Sequence, residues 1–469
     1  MQNDNNPFGI AWGFLYGYQG TKAERYMPQL RQLGAGNTKI YLFWNQIEPE
    51  KGRFEWSAVD AFVNQLRSPD EGLIAVFSSS TWATRRASAV LPPSPAKNPD
   101  DYYAFVQALV VHCKGRVRYW QNDSEPNNPI YWSGRKEEFA EELRVFHKAV
   151  KDADPNAIVV AGGYDGLFNP PGMFQYPTQK YGLDFFDYVI ANASDAFDVF
   201  DLRLYADPYT IPWRVEHICE MMRAHGHEKP IICTEYNGPG FFEFAPNIAY
   251  VSIVMKWAQS LAAEGTAAGE SEVAALYAKM SALAPQTQMF MEGCSAELQR
   301  KLERLQARDL VMRNVLALSA AVKKTMFWDL WHNTSNRSDM MHLMYSKLKL
   351  LEYEGGALTK RYPLADAFAR MTKALAGVES VERIAVPERP SINLFQVKRA
   401  TRAPMFIVWE KRDAFSGEDQ PPVPFDWPWE SAEATASDAL GEHIAAVVKD
   451  GRVRLPVSVT PVFIDQNGS

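Results

Sequence analysis

Tyr119-Trp120-Gln121-Asn122-Asp123-Ser124-Glu125-Pro126-Asn127 reads as a short strand that runs out into a glutamate. Further on, Lys229-Pro230-Ile231-Ile232-Cys233-Thr234-Glu235-Tyr236 does the same. Outward from these two segments, apolar runs alternate with amphipathic helical stretches over roughly the first 340 residues, the pattern of a βα architecture. The expected strands are Phe8 to Phe14, Thr38 to Trp44, Leu73 to Phe77, Arg116 to Gln121, Ala157 to Ala161, Phe197 to Tyr205, Pro230 to Thr234 and Thr325 to Trp328. Eight strands separated by helices predict an α/β fold, a (β/α)8 TIM barrel over 1–375. Chemistry in that fold sits at the C-terminal strand ends, where this order puts Glu125 and Glu235.

The connection from the seventh strand to the eighth is long. Residues from 241 to about 307 read as a helical insertion, either a lid or binding loop or an extension of the outer layer. Beyond Ala376 the texture changes to short strands without helices: Asn393 to Lys398, Met405 to Trp409, Ile444 to Val448, Val453 to Val457 and Pro461 to Ile464. Asp450-Gly451 is a hairpin signal between two of them. Residues 376–469 therefore predict a small β-sandwich. Trp427 and Trp429 read as part of a Pro-rich loop able to fold toward the barrel.

With 469 residues the chain is long enough for two domains. A net charge of -7 leaves no basic footprint for nucleic acid. No apolar run is long enough to cross a bilayer, so no membrane partner is expected. Met1 to Pro7 lacks a basic start and an apolar run. The expectation is no signal peptide, hence a cytoplasmic protein or a mature secreted form. Cys113, Cys219, Cys233 and Cys294 form no CxxC pair and no zinc spacing, and read as buried thiols. No metal and no cofactor is expected: His225-Gly226-His227 reads as a solvent-facing turn, and His332 lacks a second ligand. The oligomeric state is open.

Two carboxylates at strand ends suit glycoside cleavage, in which one acid protonates the leaving oxygen and the other attacks from the opposite face. The chain resembles clan A of the glycoside hydrolases, most of all family 39 and its relatives, on three motifs. Trp44-Asn45-Gln46-Ile47-Glu48-Pro49 with Gly52-Arg53-Phe54-Glu55-Trp56 is similar to the stretch after strand two. Glu125-Pro126-Asn127 matches the latter part of the Asn-Glu-Pro motif, and Pro230 to Tyr236 resembles the end of strand seven. The resemblance implies a retaining mechanism with Glu125 as acid/base, Glu235 as nucleophile and Tyr205 as the nucleophile's partner. It also implies a carbohydrate substrate and Trp328 as the floor of the sugar site.

Two positions depart from that pattern. Ser124 stands where the clan has an asparagine that bonds the sugar 2-hydroxyl, so that contact is expected to be lost, bridged by water or taken over by Asn122, Asn127 or Asn128, with a sugar that differs at C2 from plain glucose or xylose. Arg203 stands where relatives often have histidine. It either recognises an acidic sugar by bidentate bonding or pairs with a neighbouring acid. Tyr236, Trp12, Trp44, Trp82 and Trp132 complete the candidate substrate contacts, each with core packing as its alternative. Trp56 and Trp257 read as structural. Two other functions use the same residues: a carbohydrate-binding barrel without turnover, and a transglycosylase.

Overall fold

The computed structural model describes residues 6–12, 23–264, 270–332 and 339–466. Eight parallel strands close into a barrel in chain order: β1 (Phe8–Ala11), β2 (Asn37–Phe43), β3 (Gly72–Phe77), β4 (Tyr119–Asn122), β5 (Ile158–Tyr164), β6 (Val199–Leu202), β7 (Ile231–Tyr236) and β8 (Thr325–Trp328). The TIM barrel expected from the alternating pattern is the observed fold. The observed first strand stops one residue before Trp12, and Gly13 and Phe14 of the expected one lie outside the described residues.

Side chains alternate between the two faces of each strand. Tyr41, Phe43, Ala75, Phe77, Val160, Ile232 and Trp328 fill the barrel interior. Ile40, Leu42, Ile74, Val76, Val159 and Ala161 pack outward against the helices. Both faces are buried, so the strands read as continuous apolar runs rather than as alternating ones.

After β7 the chain forms short 3-10 turns and the helices Val251–Glu264, Glu270–Ala278 and Pro285–Gln288, which share a core of their own around Phe241, Trp257 and Phe290. The helix Ala296–Ser319 then returns to the barrel wall. Its buried Leu310, Val311 and Val315 join the main core.

The C-terminal region holds a five-stranded and a three-stranded antiparallel sheet. Strands Ile392–Arg399 and Arg402–Glu410 show why it stays with the barrel. Phe395, Val397, Ile407 and Trp409 on one face merge with the barrel's outer core. Leu394, Phe406 and Val408 on the other face pack on the three-stranded sheet. Asp450 and Gly451 both take positive φ, 53° and 68°, as a two-residue hairpin turn requires. Trp427 and Trp429 do not form a loop reaching toward the barrel. Trp427 lies in the strand Val423–Pro428, and Trp429 packs on Phe406 inside the sandwich, because that segment pairs with Arg452–Val457.

Candidate active site

Two bulges aim the polar groups. Cys233 of β7 pairs with Thr325 of β8, but Tyr236 pairs with Phe327, so β7 carries one extra residue there. Cys233 and Tyr236 face the helices while Thr234 and Glu235 both reach the barrel axis. The register of β5 against β6 slips in the same way between Ala161 and Tyr164, around Gly162 and Gly163. A Cβ on Gly163 would fall 2.5 Å from Cζ of Arg203, so a missing side chain there makes room for the guanidinium.

Glu235 is held chiefly at one oxygen. Lys39 Nζ lies 3.0 Å, the Tyr41 hydroxyl 2.5 Å and Arg203 Nη2 3.0 Å from Oε1. The Ser124 hydroxyl is 3.5 Å from the same atom. Oε2 accepts a bond from the Tyr205 hydroxyl at 3.2 Å. Burial alone would raise this carboxyl. The Arg203 guanidinium, the Lys39 ammonium and the Tyr41 hydroxyl outweigh burial and hold it at about 2.

Glu125 follows β4 and is 12% exposed at its side chain. Among the described residues no donor hydrogen-bonds its carboxyl, and Arg203 Nε is 3.5 Å from Oε1. Burial, then repulsion by Glu235, pushes it up to about 8 against the pull of Arg203. Asp123 and Glu125 both adopt a left-handed φ of 51°, a conformation costly for side-chain-bearing residues and concentrated at functional sites. Asp123 is clamped at this turn by the backbone N–H and hydroxyl of Ser78, at 3.0 and 3.1 Å.

Arg203 is fully buried and stands at the centre of the cluster. Its guanidinium meets Asp201, Glu235, Glu125, Thr234 and the Ser124 hydroxyl. Asp201 is fixed in turn by the N–H and hydroxyl of Thr234 and by Gln121. Of the two roles open to Arg203, this geometry is that of pairing with neighbouring acids. The Ser124 hydroxyl is likewise turned to Arg203 and Glu235.

Of the other expected contacts, Trp328 alone lies at the mouth of the barrel among the described residues. It is stacked on His332 at 5.6 Å and edge-on to Tyr345 at 5.4 Å. Asn122, next to the inward Gln121, points to the helices and bonds the Tyr102 hydroxyl. Tyr236 points outward and accepts from Asn314, and Trp12 packs on Tyr26. Trp44 stacks on Phe105 and donates to Glu48, while Trp82 donates to the Glu48 carbonyl. Trp132 packs on Phe139, and Asn127 accepts from the Asp165 N–H. None of these seven is among the partners of the carboxylate cluster.

Sequence reasoning passed over Lys39, Tyr41, Thr234 and Asp201, and the aromatic pair Tyr131 and Tyr345, whose hydroxyls feel both glutamates. A signal existed for the first two. Lysine in the middle of an apolar strand, two residues before a tyrosine, marks an inward polar row. Burial and the nearby Arg203 lower Lys39 to about 8, against the pull of its acidic neighbours.

No family model and no curated protein matches the sequence. Solved structures do match the fold. A family 39 glycoside hydrolase from the gut symbiont Bacteroides cellulosilyticus WH2 superposes with a TM-score of 0.65 at 14% identity, over 100% of this chain and 82% of that one. A monomeric β-xylosidase from Caulobacter crescentus CB15 gives 0.58 at 11% identity, covering 98% and 96% of the two chains. A family 51 α-L-arabinofuranosidase from Bifidobacterium longum gives 0.55 at 12% identity, covering 99% and 96%. What this chain shares with these glycoside hydrolases, across nearly its whole length, is the barrel-and-sandwich fold.

Proposed function

We propose that this chain is a retaining glycoside hydrolase that cleaves β-type linkages in an oligo- or polysaccharide, with Glu125 as acid/base and Glu235 as nucleophile. The observation that carries this reading is the unequal treatment of two neighbouring acids. Glu235 has two cations and two tyrosine hydroxyls to keep it ionised, whereas Glu125 has no hydrogen-bond donor among the described residues and is pushed toward its protonated form. Pairs of carboxyls driven apart in this way divide into an acid and a nucleophile. Both touch the Nε–Nη2 edge of one guanidinium, which favours the short separation, about 5 Å, of the retaining geometry.

In the first step a lone pair of Glu235 Oε2, the less encumbered oxygen, attacks the anomeric carbon. The bond to the leaving oxygen breaks, its electron pair stays on that oxygen, and the Glu125 proton goes there. In the second step Glu125 takes a proton from water. The water oxygen bonds the anomeric carbon, and the electron pair of the carbon–Oε2 bond returns to Glu235. Trp328, with Tyr131 and Tyr345 around the same chamber, offers an apolar face for a sugar ring.

The test is product release from plant, bacterial and acidic polysaccharides and aryl glycosides, with Glu235→Ala run beside the native chain. Release by the native protein alone, with the anomeric configuration kept, is expected. With azide, Glu125→Ala should give the β-glycosyl azide and Glu235→Ala the α. Equal release by native and Glu235→Ala would remove Glu235 from the mechanism.

A further inference from the structure

A cavity of about 360 Å³ lies away from the carboxylate cluster, and none of Lys39, Tyr41, Glu125, Arg203, Tyr205 or Glu235 lines it. It opens where the loops after β6 and β7, the helix Ala296–Ser319 and the sandwich segment Lys411 to Phe415 meet. Phe244, Phe415 and Met312 give it apolar walls. Its volume falls in the range of small-molecule sites, about 300–1,000 Å³.

The acids on its wall already have partners. Asp309 receives Nε and Nη2 of Arg313, both at 2.8 Å. Glu243 receives the Gly240 N–H and Arg313. Asp413 receives the N–H groups of Phe415 and Ser416 together with the Ser416 hydroxyl. Asp207 receives the Tyr209 N–H.

The cations are less well matched. Arg308 is 1% exposed. Its Nε donates to the Arg304 carbonyl and its Nη2 to Glu418, but Nη1 is buried with no partner. Glu418 is shared with Arg304 and with Lys301, which also pairs with Asp419. Lys411 rests over the Tyr209 ring at 4.4 Å, and no acid among the described residues pairs with it. A buried guanidinium with an unused N–H costs free energy that an arriving anion would recover.

We propose that this cavity binds a small organic carboxylate of about monosaccharide size. Its carboxylate meets Arg308 Nη1 and the Lys411 ammonium, and its body covers the apolar walls. A uronic acid has this chemistry. A bare inorganic anion would satisfy the cations and leave the walls wet.

The experiment is titration calorimetry of the full chain with glucuronate, glucose and sulfate, on native, Glu235→Ala, Lys411→Met and Arg308→Met proteins. Glucuronate should bind native and Glu235→Ala alike, at least tenfold more tightly than glucose or sulfate, and at least tenfold more weakly after Lys411→Met or Arg308→Met. Lys411 is at the sandwich edge, so its variant keeps the test alive if Arg308→Met does not fold. Absent binding, binding indifferent to Lys411→Met, or sulfate as tight as glucuronate would each overturn the proposal. None of these results bears on Glu125 or Glu235, so the glycosidase reading stands or falls separately.

Discussion

Lys39→Met isolates one of the two cations on Glu235 Oε1. The ammonium lies 3.0 Å from that oxygen, where a unit-charge pair at an effective dielectric of about 20 is worth up to about 5 kcal/mol. Arg203 and Tyr41 remain, so the expected rise of the Glu235 carboxyl is about two units from its place near 2. In the proposed mechanism that carboxylate is the group expelled when the glycosyl-enzyme breaks down, and the more basic it is, the more slowly it leaves. With the anomeric carbon–Oε2 bond about half broken at the transition state, two units slow this step about tenfold. Attack by the more basic carboxylate speeds up by a similar factor. The balance between the two steps therefore moves about 100-fold toward the intermediate. Stopped-flow release of a phenol from an activated aryl glycoside reads this directly. The native chain should show no burst, and Lys39→Met should show one approaching one equivalent per site, with a covalent adduct on Glu235 by mass spectrometry. Methionine matches lysine closely in length, and it removes a charge that burial disfavours. A folded Lys39→Met without a burst, or a native chain with a full one, would refute the argument.

Activity should fall as pH rises through about 8, as Glu125 loses its proton, and should hold down to the acid unfolding of the chain because Glu235 stays ionised. Lys39 titrates in the same region, so the kcat/KM profile of Lys39→Met decides between them; an alkaline limb that vanishes with Lys39 would reassign it. Glu125→Gln should melt a few degrees above the native chain. A carboxyl whose folded pKa is raised holds its proton longer than the unfolded chain does, so its cost to the fold appears above about pH 4.5 and is complete near pH 8. The difference in Tm should therefore widen from pH 5 to pH 8, and a gap independent of pH would contradict the assignment. Gly163→Ala should cost at least 100-fold in kcat with an unchanged far-UV spectrum, because the new Cβ meets Arg203 Cζ at 2.5 Å and displaces the guanidinium; retained activity would mean Arg203 does not organise the acids.

The barrel was legible because its strands are short, apolar and bounded by helices, and β8 begins and ends where the sequence suggests. The parity of each strand was not. In a barrel with both strand faces buried, hydrophobicity does not say which alternate residues face the axis. Asn122 and Tyr236 therefore read from the sequence as substrate contacts, although it is Gln121 and Glu235 beside them that face the axis. The bulge in β7 compounds this, since it turns Thr234 and Glu235 inward together, and nothing in Cys233-Thr234-Glu235-Tyr236 signals an extra residue. The tryptophans mislead for a related reason. Trp12 and Trp44 directly follow their strands, but both belong to the layer between strands and helices.

The cluster explains why one of the two glutamates would keep its proton. Among the described residues, the ion-paired cluster holds two cations, Lys39 and Arg203, and three carboxyl groups, Asp201, Glu125 and Glu235, with Asp165, itself raised by burial, close enough to push Glu125 up further. Uncompensated charge in such a setting costs several kcal/mol, so the arrangement of lowest energy is neutral, with one acid protonated. Asp201 accepts from the N–H and hydroxyl of Thr234, the Gln121 amide and Arg203. Glu235 is excluded by Lys39, Tyr41, Arg203 and Tyr205. Glu125 has only the edge of a guanidinium already committed elsewhere, so the proton falls to it. On this account the division into acid and nucleophile follows from a charge count made by the whole barrel mouth. A change at Lys39 or Asp201, neither of which need touch a sugar, would reset it: Lys39→Met leaves one cation to three acids and pushes Glu125 further up, whereas Asp201→Asn leaves two cations to two acids and brings Glu125 down. Opposite displacements of the alkaline limb of kcat/KM in these two variants are the signature of that count, and displacements of the same sign would show that local contacts alone set the proton.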